Sequence, residues 1–129
     1  MGSAAASGVY KSQVVEAVRD TGAFAYVGVV ERAASGSSVY CSLVAIDPLN
    51  GIVGVHRKMT PTHGERLVWP DGDGAGLGAH PHPVAPLHGL HCWENWLPPA
   101  RNAPYATGSA VPPAAGPGSG GPPAGRPAA

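Results

Sequence analysis

The chain has 129 residues, eight basic and eight acidic side chains for a formal net charge of zero, and only two cysteines. One small domain fits that length, and the balanced charge, with basic clusters as short as His56-Arg57-Lys58, argues against a nucleic-acid or anionic-membrane partner. No apolar run approaches the ~20 residues of a bilayer span, and the start MGSAAASG lacks the charged and apolar regions of a secretory signal, so a cytoplasmic protein with small, neutral partners is expected.

Residues 11–22, KSQVVEAVRDTG, place Val14, Val15 and Val18 on one helical face and end on Gly22, which is suited to cap a helix. A buried-type strand, AFAYVGVVER, follows; SSVYCSLVAID reads as a second strand and IVGVHRK as a third. Pro48-Leu49-Asn50-Gly51 predicts a tight hairpin between the last two. From Met59 to Gly78 the density of Pro, Gly and Asp predicts an ordered loop rather than a long regular element.

Residues 79–91 carry Pro81, Pro83 and Pro86, each of which would remove a ladder hydrogen bond from a central strand. After Cys92, WENWLPPARNAPYA predicts a short or kinked helix, with Pro98 and Pro99 in the first turn and Pro104 inside. The domain is therefore drawn over residues 1–106. Residues 107–129 contain 18 Gly, Ala or Pro in 23 positions, and such a tail cannot offset its own ordering entropy, so it is expected to be disordered.

Two cysteines are too few for a disulfide framework. Cys41 sits in an apolar, strand-like run and reads as a small buried hydrophobe. Cys92 lies between a strand-like and a helix-like segment, where a turn exposes the thiol and a helix N-terminus favours the thiolate. A thiolate attacking an electron-poor carbon needs a cation for the developing negative charge and a carboxylate to move protons. Lys58 and Glu65, in HRKMTPTHGER, are the candidates for those tasks. On residues alone the plainer alternative stays open: Lys58 a solvated strand end, Glu65 paired with Arg66, and Cys92 merely buried.

Three blocks occur in order, GVVERA (28–33), HRKMTPTHGERLVWPDGDGAGL (56–77) and LHCWENWLPPARNAPYATG (90–108). Together they closely resemble the nitrilase branch of the carbon–nitrogen hydrolase superfamily, from about Gly8 to Gly108. The resemblance implies an α+β fold, part of a nitrilase-type α-β-β-α sandwich. It makes Cys92 the nucleophile, Lys58 the stabiliser of the tetrahedral intermediate and Glu65 a supporting carboxylate. The implied substrate is a small nitrile, converted to carboxylic acid and ammonia through a thioimidate and a thioester, with no metal or organic cofactor. Glu31, Arg32, Glu94 and Asn95 match positions read as structural or near-site. Homo-oligomers are also implied by the resemblance.

The pattern departs from the family in two places. The Phe-Pro-Glu block that carries the family's general-base glutamate is not among these residues, and roughly a third of a usual nitrilase is represented, so a fragment with impaired turnover is expected. His88 stands where the family has glycine and His91 where it has an aliphatic residue, within a stretch of retained spacing but altered content. Two other readings remain: a non-catalytic remnant, or a metal-binding segment built from His80, His82, His88, His91 and Cys92.

Overall fold

In this computed structural model the described residues are 8–109 and 114–115, with side chains described for 12–109. Helix α1 (Gly8–Thr21) ends as its glycine dictates: Gly22 adopts φ +67°, and its N–H reaches the carbonyls of Val18 and Arg19 at 3.1 and 3.2 Å. Only Val18 of the three expected valines is fully buried, while Val14 lies open. The helix thus packs through a narrow seam.

Strands β1 (Ala25–Arg32), β2 (Val39–Asp47) and β3 (Gly51–Arg57) form one antiparallel sheet in the order β1-β2-β3. Residues of β1 and β2 pair from Ala25↔Ile46 to Arg32↔Val39; those of β2 and β3 pair from Asp47↔Gly51 to Ser42↔Arg57, with one irregularity between Ala45 and Ile46. The hairpin expected at Asn50-Gly51 is present. Asp47 Oδ1 accepts hydrogen bonds from the Leu49 and Asn50 backbone N–H groups and from Asn50 Nδ2, and Gly51 supplies the positive φ, +76°, that starts β3.

Directly paired residues share a face of the sheet. One face carries Val27, Val44 and Val55 and then an ionic cluster: Glu31 accepts hydrogen bonds from Ser42 Oγ (2.7 Å), Arg57 Nε (3.0 Å) and Arg57 Nη2 (2.6 Å), and the Arg57 guanidinium lies 4.2 Å from the centre of the Tyr40 ring. The other face carries Tyr26, Ala45 and Gly54, then Leu43 and His56, then Cys41. Residues 80–89 lie on this second face. The His80 ring occupies the space where a Cβ of Gly54 would be, and Gly89 passes so close to Leu43 and Tyr26 that a Cβ there would fall within 2.8 Å of both.

The proline-laden stretch forms little regular structure. His80 and Leu87 make a single bridge through their backbones (2.6 and 2.9 Å), which encloses all three prolines. A two-residue strand, β4 (Leu90–His91), pairs in parallel with β5 (Ala114–Ala115). Helix α2 (Pro98–Ala106) has Pro98 and Pro99 in its first turn and buries Ala100 and Pro104. Of the stretch expected to be disordered, Thr107–Ser109 and Ala114–Ala115 are described; the rest of that expectation lies outside the described residues. Ser109 is buried, its hydroxyl at 2.6 Å from His88 Nδ1 and donating to the Pro86 carbonyl at 3.0 Å. No helix among the described residues is long and apolar enough to cross a membrane.

Candidate active site

Lys58 follows the last residue of β3, and its backbone N–H extends the ladder to the Cys41 carbonyl at 2.8 Å. The chain then turns through Pro61 into a 3-10 turn, His63–Leu67. Thr62 caps that turn, and Glu65 reaches back to it, accepting from the Thr62 N–H at 2.7 Å and hydroxyl at 3.1 Å. The same carboxylate meets Lys58 Nζ at 2.5 Å, and Nζ also lies 3.2 Å from Thr62 Oγ1. Lys58 is 2% exposed and Glu65 30%, so the ammonium is buried and its carboxylate partner is in part open to solvent. Burial alone would raise the Glu65 carboxyl; the Lys58 ammonium and the Thr62 donors outweigh it and hold the group below the ordinary carboxylate range. Arg66, the competing partner on sequence grounds, donates instead to the Pro61 carbonyl.

Cys92 opens a second 3-10 turn, Cys92–Trp96, directly after β4. Its φ is +45°, in the left-handed region that L side chains rarely adopt, and it is half-buried. No hydrogen bond joins it to Lys58 or Glu65 among those described. The loops are joined through Glu94, which accepts the Met59 N–H at 2.7 Å; burial pushes the nearby Cys41 thiol up, with the charges of Glu65, Lys58 and Glu94 acting on it besides. Cys41, expected as a plain buried hydrophobe, is thus half-buried among the candidate groups.

Glu94 is 1% exposed. Its carboxylate accepts the backbone N–H of Met59 at 2.7 Å and of His91 at 2.9 Å, with His56 Nε2 at 3.0 and 3.2 Å from its two oxygens. Burial would raise this carboxyl too, and those donors together with His56 hold it below the usual range. Sequence reasoning placed Glu94 near the site but missed this set of partners. Thr62 was also missed, although Thr-x-x-Glu before a turn is a capping signature that names it.

The histidine-rich segment disperses. His80 lies by Phe24 and Tyr26, His88 bonds Ser109, and His91 faces His56 at 6.2 Å between ring centres. Among the described residues no three His, Cys, Asp or Glu side chains gather as a metal site would require. An open depression of about 480 Å³ lined by Asn95, Trp96, Pro98, Arg101, Asn102 and Tyr105 includes none of Lys58, Glu65 and Cys92.

A buried lysine paired with a carboxylate, and a half-buried cysteine on a left-handed turn that Glu94 ties to the lysine's loop, supply the types of group that cysteine-dependent hydrolysis uses. The chain belongs to the carbon-nitrogen hydrolase family, whose model matches residues 3–118. It is 36% identical over 110 residues to an aliphatic nitrilase of Sinorhizobium fredii, covering 85% of this chain and 35% of that protein. Similarity to a nitrilase of Bradyrhizobium diazoefficiens is 36% over 104 residues, covering 81% of this chain and 32% of the relative. A carbon-nitrogen hydrolase from Helicobacter pylori shares the fold, with a TM-score of 0.69 at 23% identity over 80% of this chain and 36% of that one. The chain spans about a third of the length of these relatives.

Proposed function

We propose that the site hydrolyses small nitriles to carboxylic acid and ammonia. The observation that carries this is the ion pair of buried Lys58 with Glu65, on a loop tied through Met59 and Glu94 to the Cys92 turn, in a chain of this family. Cys92 sulfur bonds to the nitrile carbon, one carbon–nitrogen π bond opens, and the nitrogen takes the proton the thiol gives up, leaving a thioimidate. Lys58 faces the negative charge that develops on nitrogen, then on oxygen as water adds. Departure of ammonia leaves a thioester, and a second water frees the acid. The sequence as written needs no cofactor.

Glu65 is already engaged by Lys58 and Thr62, and Glu94 by His56 and two backbone N–H groups. Neither is free to take protons from water, and a missing general base removes roughly 10²–10⁴-fold. These 129 residues should therefore form the covalent adduct yet turn over slowly. A cytoplasmic location and homo-oligomeric assembly complete the proposal.

The test measures ammonia release from a panel of aliphatic and aromatic nitriles and, by intact mass, adduct formation, with Cys92→Ala as the blank. An adduct that needs Cys92, with slow release, is the expected result. No adduct with any nitrile would reject the hydrolase reading; ordinary turnover abolished by Cys92→Ala would reject the impairment.

A further inference from the structure

Two loops carry the candidate groups, and they come from distant parts of the sequence. One leaves β3 through Lys58 and Met59; the other leaves β4 through His91 into Cys92. Backbone hydrogen bonding within either loop does not fix where the other one lies. The Glu94 carboxylate does: one oxygen takes the Met59 N–H at 2.7 Å and the other the His91 N–H at 2.9 Å. Each of those N–H groups is one residue from a candidate reacting group, on the order of 3.8 Å along the backbone. His56, two residues before Lys58 on β3, meets the same two oxygens and fixes the plane of the carboxylate.

We infer that Glu94 is a positioning residue: its single carboxylate ties the backbone just past Lys58 to the backbone just before Cys92, and so sets the placement of the ammonium relative to the thiol. For the identity of Lys58 and Cys92 as reacting groups, this rests on the reading proposed above. Glu94 touches no reacting atom. It acts as the hinge pin between the two loops.

The competing view is that Glu94 only satisfies buried donors and supports the fold. Substitution by glutamine separates the two. Glutamine keeps the volume but has one acceptor oxygen for two N–H groups, and its own N–H₂ opposes whichever N–H it faces. Glu94→Asp keeps the charge but is one methylene too short to span both loops, and serves if the glutamine chain fails to fold by circular dichroism. Both are made in the 129-residue chain, alone and with Lys58→Ala.

Amide exchange followed by mass on peptides covering 57–61 and 89–93 reports the tie itself. In the Glu94 variant both peptides should exchange about tenfold faster or more, whereas Lys58→Ala alone leaves both protected. Loss of protection in neither loop or in one alone would overturn the inference. The rate of Cys92 adduct formation with benzonitrile reports the consequence. The Glu94 variant should slow it about 100-fold, as expected for a misplacement near 1 Å. On the Lys58→Ala background the further loss should be within about threefold, because no ammonium remains to be placed. The full ~100-fold loss on that background would overturn the inference, since Glu94 would then be acting on Cys92 by another route. If the wild-type chain forms no adduct while both peptides lose protection together, the nitrile chemistry is refuted and the tie between the loops stands.

Discussion

Gly54 lies in the middle of β3, opposite Ala45, and a Cβ built on it would fall 2.3 Å from His80 Cε1, 2.9 Å from Nε2 and 3.3 Å from Nδ1. All three atoms belong to one ring. That ring has little room to withdraw, because Phe24 and Tyr26 stand 6.2 and 6.1 Å from it between ring centres and the His80 backbone is bonded twice to Leu87. Gly54→Ala should therefore overpack this face and destabilise the fold by about 1–3 kcal/mol. With His80→Ala in place the clash disappears, and alanine gains the roughly 0.5–1 kcal/mol by which it exceeds glycine in a strand. The same substitution should then stabilise. Urea denaturation of the four chains at one pH measures both steps, and the difference between them, about 1.5–4 kcal/mol, is the coupling of the two positions. At roughly 4–8 °C per kcal/mol in a domain of this size, thermal melting would show the reversal as well. If Gly54→Ala carries the same sign on both backgrounds, the packing of residues 80–89 on this face of the sheet is wrong.

Removing Glu31 leaves the Arg57 guanidinium and the buried Ser42 hydroxyl without their acceptor; Glu31→Ala should cost about 2–4 kcal/mol in urea denaturation, moderated because Arg57 is 30% exposed. A loss below about 1 kcal/mol would mean that the cluster is solvated. His91 is buried with Nε2 unpartnered, so His91→Ile should stabilise the chain by about 1 kcal/mol or more, and a lower melting temperature would contradict that. Burial holds His80, His88 and His91 below the ordinary value of 6.5, so the folded chain keeps them neutral where the unfolded chain takes up protons. Stability should accordingly fall as pH drops below 6.5, by up to about 1.4 kcal/mol per pH unit for each histidine, and His91→Ile should remove one such contribution. The lowered carboxyls of Glu31, Glu65 and Glu94 add a second loss at lower pH, beginning near 4.5 and completed as pH falls through their folded values. A melting temperature flat from pH 7.5 to 5 would refute the histidine account.

The local elements were legible because their signals are local. Asn-Gly marks the hairpin, Gly22 the end of α1, and the prolines both the poverty of 79–91 and the first turn of α2. Lys58 and Glu65 were named from chemistry and family resemblance, and their contact follows from the short Thr62-capped turn between them. The ties that span the chain were not legible. Glu94 meets His56 and Met59 across 38 and 35 residues, and no periodicity encodes such a pairing. The apolar runs of β1 and β2 also concealed which face is which, since near-continuous hydrophobicity gives no alternation to read. For β5, two alanines in a Gly/Ala/Pro-rich segment carry no strand signal at all.

The left-handed backbone at Cys92, and at His63 in the other loop, has a practical consequence. A residue with a Cβ is held there at a penalty of roughly 1–2 kcal/mol that glycine escapes. Cys92→Ala keeps the penalty and is a fair blank for reactivity; Cys92→Gly would give up the thiol and melt higher than the native chain. Folding and the proposed chemistry thus rank the side chains at this position in opposite order, and a redesign guided by stability alone would begin by erasing the proposed nucleophile.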